Sequence, residues 1–302
     1  MMDNYGFYTG KSFDAYEFFG CHTDENGAVF RVFAPAAVRI SVIGEFNGWQ
    51  DTPMNKIGDG NFWAVYIEGV KPGQMYKYKI YKPDGSCMDH CDPYGYGMEL
   101  RPASASIVRN LYGYEFQDDA WMKKRSNGVA SALNIYEIHA GSWKKPQNGW
   151  YRYNELATQL VPYLKEYGYN YIELLPIGEH PCDESWGYQC SGFYSPTSRY
   201  GTLDDYKKMI DILHHNDIGV IMDFVPVHFA LDAYALAKFD GTALYEYPHK
   251  DVGNSEWGSC NFMHSRGEVR SFLQSCANYW LKEYHVDGLR MDAISNMIYW
   301  QG

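Results

Sequence analysis

The sequence predicts a multidomain chain: an antiparallel β-sandwich over residues 1–110, a connector at 111–131, and a parallel-stranded α/β unit over 132–302. Three observations carry this expectation. Short β-branched or aromatic runs fill the first third, several alternating with period two and separated by turn residues. From Ala132 the texture changes to apolar strand-length runs alternating with amphipathic helical stretches, the pattern of a parallel sheet. Two connections in that second part, 177–202 and 227–266, follow strand carboxyl ends and far exceed the usual length of about 2–6 residues.

In the first part, Val29–Phe33, Arg39–Ile43, Trp63–Ile67 and Tyr76–Tyr81 read as strands, divided by Asn26-Gly27, Gly58-Asp59-Gly60 and Pro72-Gly73. Near-regular spacing implies a small sandwich that is all β. The connector carries little pattern. In the second part Leu133–His139 reads as a strand, and Asn154 is expected to cap a helix with Leu156, Leu160, Leu164 and Tyr167 on one face. Tyr171–Pro176 is an apolar run of buried-strand length. Thr202 is expected to cap a second helix, in which Tyr206, Met209, Ile210 and Leu213 share a stripe. Gly219–Pro226 is a third strand. Val269, Phe272, Leu273, Cys276, Ala277 and Trp280 mark a third helix, and Val286–Asp292 a fourth strand. This β-α-β-α-β-α-β order fits either a doubly wound sheet or a (β/α)8 barrel.

Composition narrows the function. With 26 Lys+Arg against 37 Asp+Glu the net charge is −11, so a nucleic-acid backbone or an anionic membrane surface is a poor partner. No window approaches the ~18 apolar residues of a membrane span, and the N-terminus lacks a secretory signal, so a soluble, cytoplasmic protein is expected. Seven scattered cysteines form neither a disulfide scaffold nor a zinc pattern, and reduced thiols fit that compartment. The 28 Tyr and 9 Trp suit surfaces that grip sugar rings, or else a Tyr-rich core.

Gly6–Ser12 resembles a phosphate loop but is one residue short and follows no strand; Gly95-Tyr96-Gly97 lacks the third glycine of a dinucleotide fingerprint. Without a metalloprotease helix motif or a calcium loop, no metal or other cofactor is expected. The ends of the third and fourth strands are stronger candidates. In Asp287-Gly288-Leu289-Arg290-Met291-Asp292, Arg290 and Asp292 point to one face of a parallel strand, where apolar residues are the norm. A buried carboxylate beside a guanidinium stays ionised with a depressed pKa, as a nucleophile requires, although a structural ion pair would look the same. Asp223-Phe224-Val225-Pro226-Val227-His228 repeats the logic at the third strand.

Asp223–His228 and Asp287–Asp292 resemble two signature regions of the α-amylase superfamily, barrel enzymes acting on α-glucosidic bonds. Glu179–Gln189, with Tyr194–Thr202 behind it, is similar to the 1,4-α-glucan (glycogen) branching enzymes, whose first barrel strand Tyr136–Trp143 also matches. Phe46-Asn47-Gly48-Trp49 resembles part of their carbohydrate-binding-module-like sandwich. The resemblance runs from about residue 15 to the last residue. It implies that residues 132–302 are the first half (strands 1–4) of a (β/α)8 TIM barrel, and that Asp292 is the nucleophile, oriented by Arg290. It further implies that Asp223 and His228 line the cleaved sugar's subsite, that Tyr188 stacks on that sugar, and that Trp186 and Gln189 contact substrate. Trp49 and Trp63 are candidates for glucan binding at the sandwich, with core packing as the alternative. The implied partner is an α-1,4-glucan, and the implied reaction is a retaining double displacement onto a glucan 6-hydroxyl. Val227 and Ala230 depart from the glycine and proline expected beside His228.

A complete barrel takes about 250 residues, and the resemblance puts the general acid, a Glu, after a fifth strand, so it is expected to be absent from this chain. On that expectation the chain alone is inactive as a transferase. The alternatives are a non-catalytic glucan-binding protein, or another superfamily member such as a debranching enzyme or trehalohydrolase.

Overall fold

Tyr76, Tyr78 and Ile80 are fully buried while Lys77, Lys79 and Tyr81 between them stay half-exposed, and this period of two builds the first part of the molecule. The computed structural model describes residues 2–125 and 132–299. After helix α1 (Asn4–Thr9) come strands β1 (Gly20–Thr23), β2 (Gly27–Phe33), β3 (Arg39–Gly44), β4 (Thr52–Pro53) and β5 (Asn55–Ile57). They are followed by β6 (Phe62–Glu68), β7 (Met75–Tyr81), β8 (Cys87–His90) and β9 (Ser106–Ile107). Two antiparallel sheets result, β1-β2-β6-β5 and β4-β3-β7-β8, with β9 on the free length of β7. The four strands read from the sequence are β2, β3, β6 and β7. The all-β expectation misses α1, a helix of 6 residues too short to show a stripe. It packs on the later helix α6 (Gly267–Glu283), where a Cβ on Gly267 would meet the Tyr8 carbonyl at 1.8 Å. Only glycine permits that approach.

Within 111–131, where little pattern was expected, helix α2 (Asp119–Arg125) forms; residues 126–131 lie outside the described residues. Its Trp121 indole donates to Asp287 at 2.8 Å. Then follow β10 (Ile135–Ile138), α3 (Tyr153–Glu166), β11 (Tyr171–Leu174), β12 (Gly178–Glu179), β13 (Gly192–Pro196) and α4 (Leu203–His215). The last stretch holds β14 (Gly219–Phe224), β15 (His228–Phe229), α5 (Lys250–Gly253), β16 (Cys260–Asn261), α6, β17 (Gly288–Met291) and α7 (Ile294–Ile298). Thr202 caps α4 as expected, its hydroxyl accepting from Asp205 N–H. Asn154 does not cap α3. The helix starts one residue earlier, and Glu155 reaches back to the Arg152 N–H at 2.9 Å. Tyr167 lies just past the helix end and is exposed, not on its buried face.

Strands β10, β11, β14 and β17 pair in parallel in chain order, with no reversal. A doubly wound sheet changes direction at a switch point; a barrel wall does not. Ile138, Ile172, Leu174, Val220, Met222 and Phe224 join the core with Leu156, Leu160, Met209 and Ile210 of α3 and α4. Glu137, Glu173, Asp223 and Arg290 occupy the opposite face by alternation and register. Both long connections after β11 and β14 fold back as short antiparallel pairs, β12 with β13 and β15 with β16, over the carboxyl ends of the strands.

Candidate active site

The register of β14 and β17 sets Asp223 directly beside Arg290. The guanidinium Nη1 donates to Asp223 Oδ2 at 3.1 Å and to Asp292 Oδ1 at 2.7 Å, so a single cation bridges two carboxylates. Tyr188, delivered by the β12–β13 connection, donates its hydroxyl to the same Asp223 Oδ2 at 2.5 Å. Asp223 is buried, with its other oxygen Oδ1 unpartnered among the described residues. Burial raises its pKa against the opposing pull of Tyr188 and Arg290. Arg290 is held more firmly charged by Asp223 and then Asp292, although burial, its largest single influence, acts the other way. Tyr188 is pushed up by burial and by the carboxylate that accepts its proton.

The sequence reading placed a buried carboxylate on a strand covered on both faces. In the structure the Arg290 side chain is 44% exposed and that of Asp292 22%. Asp292 stands at the mouth of the carboxylate cluster, accessible to a ligand. The inner face also carries Glu137 and Glu173 side by side in register, and burial together with Asp223 and Glu137 raises the Glu173 pKa. Sequence reasoning missed both. The shared signal was a Glu flanked by apolar residues at one position of two successive strands, Tyr136-Glu137-Ile138 and Ile172-Glu173-Leu174.

His228 opens β15 and is buried. Its Nδ1 pairs with the Ser259 hydroxyl at 2.9 Å, which fixes the ring. Burial lowers its pKa and nearby Asp292 opposes that, so the neutral imidazole is favoured. Gln189 turns from this centre to donate to the Trp257 carbonyl at 2.9 Å, joining the two long connections. Trp186 is exposed in a left-handed conformation (φ 54°), its ring 6.0 Å from His139. Both rings line a cleft of about 270 Å³ with His180, Arg199 and Tyr200. Gly187 must be glycine, since its φ is +93° and a Cβ would lie 2.3 Å from the Pro176 carbonyl. Tyr188 is thereby presented at the end of a backbone turn that no other residue fits.

The sandwich tryptophans separate. Trp49 is 39% exposed, whereas Trp63 is buried core with its indole N–H on the Ala34 carbonyl at 3.0 Å. Trp63 has no free face for a glucan, which corrects that candidate.

Under the β12–β13 connection lies an ion network that the sequence reading did not find. Arg199, 2% exposed at its side chain, donates to Glu179 at 2.7 Å and to Asp183 at 2.6 and 2.8 Å. Arg101 comes from the other side to pair with Asp183. Burial raises the Glu179 pKa, while the bonds from Arg101 and Arg199 hold Asp183 far below the usual carboxylate range. Among the described residues no group of three or more His, Cys, Asp or Glu could hold a metal ion, and no helix is long and apolar enough to cross a membrane.

The structure thus sets an Asp–Arg–Asp cluster at the carboxyl ends of barrel-ordered strands, behind an antiparallel sandwich, which is the architecture of a barrel protein with an accessory module. Comparison with known proteins agrees. Residues 18–95 match carbohydrate-binding module 48 (isoamylase N-terminal domain), and residues 156–251 match the alpha amylase catalytic domain. A solved putative alpha amylase from Salmonella typhimurium superposes with a TM-score of 0.76 at 26% identity, covering 93% of this chain and 44% of that one. A pullulanase from Bacillus acidopullulyticus shares the fold, with a TM-score of 0.73 at 22% identity over 90% of this chain and 38% of its own. The chain is therefore similar to members of the α-amylase superfamily, and it folds as a sandwich followed by the first half of a (β/α)8 barrel. Within that superfamily, the likeness is to the 1,4-alpha-glucan branching enzymes. The enzyme GlgB of Fusobacterium nucleatum subsp. nucleatum is 46% identical over 99% of this chain and 50% of its own length, and that of Bacillus caldolyticus 46% identical over 99% and 46%. The chain thus spans about half the length of these relatives.

Proposed function

We propose that these residues serve a 1,4-alpha-glucan branching reaction, in which a segment of an α-1,4-glucan is cut and rejoined through a 6-hydroxyl. The observation that carries the reading is the single guanidinium of Arg290 joining Asp223 to Asp292. Asp292, the more exposed carboxylate, attacks the anomeric carbon as the leaving oxygen takes a proton from a general acid, the Glu that the resemblance puts after a fifth strand, giving a covalent glucosyl-enzyme and the alcohol of the departing glucan. A glucan hydroxyl then displaces Asp292, which returns the original anomeric configuration. Asp223 accepts hydrogen bonds from the hydroxyls of the sugar at the cleavage point, neutral His228 bonds its rim, and Tyr188 lies against its apolar face. Arg290 orients the nucleophile through its 2.7 Å bond to Asp292. Trp186 and Gln189 shape the surrounding cleft, and Trp49 offers a further contact on the sandwich. No metal or cofactor takes part in this scheme.

The division into a sandwich at 1–110, a connector at 111–131 and a catalytic part at 132–302 belongs to the same proposal. So does a cytoplasmic setting, with which seven free cysteines are consistent.

The test joins this chain in frame to the portion of the Fusobacterium nucleatum relative that it does not cover, and incubates the fusion with amylose. New α-1,6 linkages seen by proton NMR, with a falling iodine colour, are expected, and Asp292→Asn should abolish both. A folded fusion that releases reducing ends without new α-1,6 linkages would replace transfer by hydrolysis.

A further inference from the structure

Trp257 lies 29 residues beyond His228 in the connection after β14, yet its ring sits 5.1 Å from the imidazole of His228, tilted by 37°. It is 44% exposed. Leaving so large an apolar ring in water forfeits burial energy, and here the ring is also held in place. The Trp257 carbonyl accepts from Gln189, and its N–H donates to the Ser255 hydroxyl at 3.2 Å. Ser255 pairs with Ser259 at 2.5 Å, and Ser259 pairs with His228 at 2.9 Å. A ring that is exposed and fixed from both long connections meets the requirement for a preorganised contact, which loses little entropy when a ligand settles on it.

We propose that Trp257 is a stacking platform for a pyranose ring of an α-glucan, one subsite removed from the sugar held by Asp223 and His228. The inference rests on the glucan reading above and adds to it a residue that sets where the chain lies in the cleft. Through Gln189 and Ser259 the platform is coupled to both sides of the site, so the glucan path and the His228 ring are positioned together. A flat apolar face, rather than apolar bulk, is what the C–H side of a pyranose needs.

Calorimetric titration of the chain with maltoheptaose tests this. Trp257→Phe should bind within a few-fold of the parent, whereas Trp257→Leu should bind about tenfold more weakly, the loss of one well-placed aromatic contact. In parent protein labelled with 5-fluorotryptophan, the Trp257 resonance, assigned from the Trp257→Phe spectrum, should shift on addition of maltoheptaose. This second measurement holds even where the Leu variant folds poorly. Parent-like affinity in Trp257→Leu, with affinity lost in Tyr188→Ala, would remove the platform and leave the glucan reading standing. An unmoved Trp257 resonance under saturating maltoheptaose would do the same. Absence of binding heat in the parent, with no retention on amylose resin, would overturn both.

Discussion

Asp223 shows how one side chain can be set between two demands. Burial drives it toward the neutral acid, yet the proposed sugar-binding role needs an acceptor, and the opposing pull comes from Tyr188 and Arg290. The hydroxyl of Tyr188 at 2.5 Å stabilises the charged form only, so its removal has a sign that can be stated. In Tyr188→Phe the Asp223 pKa should rise above that of the parent, read from the carboxyl carbon by NMR titration. Arg290→Gln should raise it as well, because it removes the opposing charge and a 3.1 Å bond. A fall in either variant would show that the group removed does not stabilise the charged form of this carboxylate. Trp63 teaches the complementary lesson. Sequence offers two tryptophans on the sandwich as candidate glucan contacts, and only the three-dimensional packing shows that one of them spends both its ring and its N–H on the core.

At the scale of elements, the β12–β13 connection that carries Trp186 and Tyr188 is held by charge pairs of unequal worth. Arg199 and Glu179 have side chains 2% and 4% exposed, and breaking such a pair strands a buried charge at a cost of about 3–5 kcal/mol. The outer pair of Arg101 with Asp183 is more than a third exposed on both sides, and such pairs contribute about 1 kcal/mol or less. Arg199→Met should therefore lower unfolding free energy in urea by several kcal/mol and speed proteolysis within 180–190, while Arg101→Met should do little to either. Equal effects would contradict this ranking. None of the network was legible beforehand, because Glu179, Asp183, Arg199 and Arg101 form no local spacing pattern and meet only through the fold. The same holds for Trp257 with His228. What period reveals, the sequence revealed well: β2, β3, β6 and β7 in the sandwich, the four parallel strands, the stripes of α4 and α6, and the Thr202 cap. Other short signals failed, as with α1 and the start of α3. Asp292 and Arg290 were found from residue type and spacing, and the fold joins them to Asp223.

At the scale of the molecule, the sandwich and the barrel strands share one core, and the abundance of tyrosine finds its main use there. Tyr16, Tyr94, Tyr194 and Tyr279 are fully buried where the two parts meet. Tyr94 lies 4.9 Å from Tyr194, and Tyr96 stacks on Tyr279 at 5.5 Å. Polar ties cross the same boundary. The Ala36 N–H donates to Asp240, that of Cys91 to the Tyr234 carbonyl, and His90 Nδ1 to the Ala235 carbonyl at 2.9 Å. His90 is fully buried with Nε2 unpartnered among the described residues, and burial lowers its pKa to about 4. The Ala235 carbonyl and Asp240 pull the other way; Lys82 and Lys77 add to the lowering. A histidine depressed in the folded state stabilises fully above its unfolded value, near 6.5, and that contribution is lost as pH falls toward 4. At pH 4 the loss is about 3 kcal/mol. Asp92, buried and raised to about 6, works in the opposite sense, because its ionisation is the unfavourable state and acid relieves it. The pH dependence of the parent protein alone therefore mixes both signs, and only a comparison isolates the histidine. His90→Asn keeps a donor in the place of Nδ1 for the Ala235 carbonyl but cannot titrate. Urea unfolding at pH 7 and pH 4 should show the parent losing about 3 kcal/mol more than this variant between the two conditions. Identical losses would mean that His90 meets water when protonated, and that the boundary between sandwich and barrel opens before the histidine takes up its charge.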